Sequence, residues 1–131
     1  MRISVLRTAP LPFASALSGI EVVDGIIYLM SDDSSVLYKV KHDLTLMEKI
    51  PLYPTASGKS EHIPKVEKAD LEAIGRLKIN GYNHLLILGS GSRSPQRDKG
   101  YLVKLPTNYN RSHLVWEIDL GAFYAFLRTH D

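Results

Sequence analysis

Two stretches of this chain, residues 15–52 and 67–120, read alike, and each is built around one dipeptide that dictates a turn. Asp24-Gly25 and Asn80-Gly81 are two-residue hairpin signals. A type I′ turn needs φ > 0 at both central positions, which Asp, Asn and Gly supply at least cost. Apolar runs flank both turns. Residues 18–23 precede the first and 26–30 follow it, while 70–74, extended by 76–79, precede the second and 84–88 follow it. Residues 36–40 and 44–52 complete the first set, and 101–105 and 114–120 the second. Four strands joined by short turns form an antiparallel meander.

The two meanders can be aligned. Residues 19–23 pair with 70–74, 27–29 with 86–88, 38–40 with 103–105, and 47–50 with 116–118. A four-stranded unit repeating at this length is the signature of propeller blades. The expected fold is all-β, with two consecutive blades at about 18–52 and 70–120 in one partial β-propeller domain over residues 1–131. The other reading is an ordinary meander sheet whose halves look alike because alternation is generic. Leu120, Phe123, Tyr124 and Leu127 fall at helical spacing behind Asp119, which predicts a short amphipathic helix at 120–128 with Asp119 as its N-cap.

Residues 2–7 alternate apolar and polar and predict a leading strand, ended by Pro10 and Pro12. A strand there would complete the last blade of a closed ring. Two blades do not close one, since propellers have about four to eight. The expected partners are therefore further propeller blades or other copies of the chain, because unpartnered blades leave apolar faces and edges open.

Bulk properties narrow the classes. The length of 131 residues fits one domain, and 44% hydrophobic with 23% charged residues is ordinary globular composition. A net charge of +2 is too mild for a nucleic-acid binder, which carries a clustered basic patch. With no cysteine, disulfides and thiolate metal sites are excluded. No run approaches the roughly 18 apolar residues of a membrane span. Arg7 interrupts the N-terminal apolar run, which argues against a secretory signal and for a cytoplasmic setting.

Chemistry is expected on one face of the blades. The connections SDDSS at 31–35, YPTASGKSEHIPKV at 53–66 and GSGSRSPQRDKG at 89–100 all emerge from one end of the strands, opposite the short hairpins. Binding residues concentrate on such loops. Ser90, Ser92, Arg93, Arg97 and Lys99 combine hydroxyls, guanidinium forks and a point charge on a Gly-rich loop, the chemistry that holds a small anionic ligand. The alternative is a solvated loop with Arg97 or Lys99 paired to Asp98. Glu21 and Glu72 take equivalent places on the first strands, where carboxylates converging on a channel could hold a hard cation such as calcium. The alternative is hydrogen bonding or pairing with Arg or Lys. Gly89-Ser90-Gly91 is followed by Ser94 where a dinucleotide fingerprint needs Gly, and the five histidines show no metal spacing.

The segments DLEAI (70–74), SGIE (18–21) and GSGSRSPQRDKG resemble those of bacterial β-propeller proteins of unknown function. More distantly, the pattern is similar to phytase-like esterase and strictosidine-synthase/gluconolactonase propellers. That resemblance implies a propeller fold and, from the enzymes, a channel metal assisting phosphoester or lactone hydrolysis. Three functions stay open: a ligand- or partner-binding module using the loop face, part of a metal-assisted hydrolase, or a structural segment with no site of its own.

Overall fold

The computed structural model describes residues 1–92, 97–107 and 113–130. Eight strands and one helix lie within them. The first sheet runs β1 (Leu17–Val23), β2 (Ile26–Ser31), β3 (Val36–Val40) and β4 (Leu46–Pro51), and each strand pairs antiparallel with the next. The second repeats that order with β5 (Leu71–Ile79), β6 (Tyr82–Gly89), β7 (Lys99–Lys104) and β8 (Leu114–Asp119). The helix α1 (Gly121–Thr129) follows. The chain is thus two consecutive four-stranded blades and a short C-terminal helix. Both hairpin dipeptides make the turns their residue types require, with φ of 51° and 77° at Asp24-Gly25 and 52° and 83° at Asn80-Gly81.

The sheets pack on each other through one core. Met30, Leu37 and Ile50 of the first sheet meet Leu71, Leu85, Ile87, Tyr101 and Val103 of the second, all buried. First strands lie side by side at the seam, clipped at both ends. The Ser18 hydroxyl donates to the Leu71 carbonyl at 2.7 Å, and the Asn83 side-chain amide donates to Asp24 at 3.3 Å. On its other face the first sheet buries Leu29, Val36, Tyr38 and Val40 under Leu11, Phe13 and Ala14.

The repeat is real, but its register differs from the sequence alignment. Ala16 and Asp70 both take φ near +50°, at 50° and 52°, and each is followed by a β-bulge. The Asp32 amide bonds Ala16 O at 3.1 Å, as the Ser90 amide bonds Asp70 O at 2.9 Å. Leu17 therefore corresponds to Leu71, and Ser18 to Glu72. Glu21 and Glu72 are not equivalent. Likewise residues 27–29 correspond to 85–87, one place from the expected match. A slip of one residue exchanges the faces of a strand, so this correction decides which side chains are free. Met30 and Tyr28 face the second sheet, and their counterparts Leu88 and Leu86 face away from the first.

Residues 2–7 form no strand, contrary to expectation; they are exposed, and Arg7 bonds the Asp43 carbonyl at 3.1 Å. Alternation makes a strand only where a ladder partner exists, and neither sheet edge takes this segment. Asp119 is not the N-cap, which is Leu120, but its carboxylate accepts the Gly121 amide at 2.8 Å. Among the described residues no helix is long and apolar enough to cross a membrane.

Candidate functional site

The loop end of the strands is a closed polar network. Ser35 N bonds Ser60 O at 2.9 Å and Ile63 N bonds Asp33 O at 3.1 Å, so the long connection folds back on the β2–β3 loop. Glu61 accepts from Lys49 at 2.7 Å and from the Tyr38 hydroxyl at 2.9 Å. The Lys49 hydrogen bond, foremost, holds the Glu61 carboxyl below its usual range. Tyr53 reaches across to the second sheet, where its ring stacks on Tyr101 with centroids 5.4 Å apart and its hydroxyl accepts the Ala69 amide. That burial pushes both phenols up.

The Gly/Ser/Arg loop is braced in the same way. Arg97 Nη1 donates to Asp70 Oδ2 at 3.1 Å and to the Ser92 hydroxyl at 2.8 Å, and the guanidinium is nearly enclosed. Ser92 and Ser90 share a hydrogen bond at 2.8 Å. Lys99 pairs with Glu117 at 2.7 Å. Asp98 pairs with Arg128 of α1 at 2.8 Å rather than with a neighbour in its own loop. Tyr124 lies over Gly91 and donates to the Gly89 carbonyl, and Arg128 donates to the Gly91 carbonyl. Arg93 lies outside the described residues. Of the five expected anion-site residues, Ser90, Ser92 and Arg97 are joined by hydrogen bonds, while Lys99 is paired with Glu117, so both described cations are already held by carboxylates. Among the described residues Glu21 bonds only the adjacent Val22 amide, at 3.2 Å, and Glu72 is exposed. Among the described residues no three of His, Cys, Asp or Glu gather closely enough to hold a metal ion.

At the hairpin end, the seam opens into a cleft of about 210 Å³. Val23, Ile26, Leu105 and Pro106 supply apolar wall, and Asp24, Tyr28, Lys39 and Asn83 supply polar groups. Lys39 is 9% exposed. It stands opposite Tyr28 on β2 and Glu48 on β4. His113 closes the neighbourhood, its Nδ1 3.7 Å from Glu48. Burial, then the Lys39 charge, lowers the His113 pKa. Burial pushes the Tyr28 phenol up to about 12.

Residues 13–131 match the model of a family described as "Family of unknown function (DUF6929)". The chain belongs to that family. No curated protein and no solved structure matches it. In this DUF6929 chain the cleft escaped the sequence reading because its walls come from separate strands and the segment after β7. The one available signal was Lys39 itself, set in the run VLYKV, all of whose residues are buried. A lysine inside a strand buried on both faces needs a reason to be there.

Proposed function

We propose that this DUF6929 chain is a partner-binding β-propeller module that assembles head to tail with further copies of itself. One observation carries the reading: the outer face of the second sheet is apolar and open. Tyr82, Leu114 and Trp116 are 39%, 51% and 46% exposed there, beside half-buried Leu77, Leu86 and Leu102. By the repeat, this face is the counterpart of the one that the first sheet buries against the second. The interface inside the chain therefore describes what the open face fits, namely the outer face of another first sheet. Leu11, Phe13 and Ala14 cover that surface over Leu29, Val36, Tyr38 and Val40, which leaves Ile20, 60% exposed, and Val22, 48% exposed, on β1 for the contact. Head-to-tail contacts of this kind generate rings when the rotation closes, and two-blade copies would reach the four to eight blades of a propeller by pairs. The resemblance to β-propeller proteins fits the same reading. The loop face is the weaker candidate, because Arg97 and Lys99 are committed to Asp70 and Glu117.

Light scattering over a concentration series tests it. The wild-type mass should exceed the 14.7 kDa of one chain and rise with concentration. Trp116→Lys should return the monomer with its far-ultraviolet circular dichroism unchanged. A monomeric wild type, or a Trp116→Lys protein that assembles as well, overturns the proposal.

A further inference from the structure

The cleft at the hairpin end of the seam has chemistry that the assembly does not use. Lys39 projects from the middle of β3 into the gap between the sheets, at 9% exposure. Among the described residues its ammonium has no hydrogen-bond acceptor and no carboxylate at ion-pairing distance. Glu48, its cross-strand neighbour, lies nearest to His113 instead. Lys39 lines the cleft, so an anion entering it meets a cation that no carboxylate holds among the described residues. Tyr28 stands beside it, protonated at neutral pH and so able to donate. On the far wall Asp24 offers acceptors, with one oxygen held by Asn83. Cation and carboxylate thus face one small space across an apolar floor.

We propose that this cleft binds a small carboxylate that also carries a hydroxyl or amino group. The ligand's carboxylate meets the Lys39 ammonium and the Tyr28 hydroxyl, and its donor group meets the Asp24 carboxylate. Size points the same way. About 210 Å³ is below the roughly 300–1,000 Å³ of pockets for drug-sized ligands, so a compact acid of a few carbons is the fitting class. Pairing one cation with one acceptor also selects against dicarboxylates, whose second charge would meet Asp24. Like charges brought together in a partly desolvated site disfavour binding.

The test is a nuclear magnetic resonance titration of the full chain with lactate and glycine, with lactamide as the uncharged control. Lactate or glycine at millimolar concentration should give saturable shifts confined to residues 23–28, 39, 81–83 and 105–107. Lactamide should give none. Lys39→Met keeps the length of the side chain and removes the charge. It should weaken binding by about tenfold or more while leaving the circular dichroism of the free chain unchanged. If Lys39→Met does not fold, Tyr28→Phe removes one donor from the same wall and should weaken binding too. Shifts that do not saturate or lie elsewhere, equal binding of lactamide, or undiminished binding by the folded variant overturns the proposal.

Discussion

Asp70→Asn isolates the ion pair that braces the Gly/Ser/Arg loop. Asp70 sits at φ 52°, a region that Asn tolerates as readily as Asp, so the substitution changes charge and little else. Arg97 and Asp70 side chains are 10% and 15% exposed and lie 3.1 Å apart. Among the described residues, Arg97 Nε and Nη2 are buried without partners, so Nη1 carries the described contacts of that charge. Removing one member of a buried pair costs about 3–5 kcal/mol. The asparagine oxygen still accepts one hydrogen bond and the site keeps slight solvent access, which brings the expectation to about 2–4 kcal/mol. Unfolding entropy for a chain of 131 residues is about 0.3 kcal/mol per degree. The melting temperature should therefore fall by about 7–14 °C. Calorimetry or a circular dichroism melt reads this directly. Adding Arg97→Met should recover part of the loss, because an apolar pair replaces a stranded charge. A single variant melting within about 2 °C of wild type, or a double variant whose losses simply add, would refute the argument.

His113 should make stability depend on pH. Its folded pKa lies below the ordinary 6.5, so between the two values the unfolded chain binds more protons. Its contribution is complete above 6.5 and is lost as pH falls towards the folded value. The urea midpoint should rise as pH is raised towards 6.5, and His113→Gln should flatten that rise; a slope unchanged in the variant would assign it elsewhere. Gly89→Ala should destabilise strongly, because a Cβ there would lie 2.8 Å from each of the carbonyl oxygens of Ala69, Arg97 and Lys99. The cost should reach or exceed the upper end of about 1–3 kcal/mol for overpacking, and a urea midpoint equal to wild type would contradict the crowding.

The turns and strands were legible because their signals are local. Asp24-Gly25 and Asn80-Gly81 demand φ > 0 at consecutive residues, and the chain around them alternates at the period of a strand. Register was not legible, because it is set by the bulges after Leu17 and Leu71, and a bulge leaves no mark in alternation. The false equivalence of Glu21 and Glu72 follows from that. The segment 2–7 alternates like a strand but pairs with neither sheet edge, and alternation alone does not say whether a partner exists. The loop's residue types were readable as a group that gathers. That Arg97 would be taken up by Asp70, 27 positions away, depends on the second sheet already being formed. Lys39 is not legible as a cleft residue because a strand lysine is ordinarily solvated, and its enclosure depends on how the two sheets meet.

The connection between the sheets governs how the chain can assemble itself in time. Every ladder closes between strands adjacent in sequence, so each meander can form early through short-range contacts. The seam is different, because Ser18 must find Leu71 and Asn83 must find Asp24. Closing that distance through a slack tether would carry the entropy of a long loop. Here the tether is not slack, since Ser60 and Ile63 dock on the first sheet's loop and Tyr53 projects towards Tyr101. Once seated, the connection acts as a splint, and the remaining search shrinks to a hinge motion of the few residues between Ile63 and Leu71.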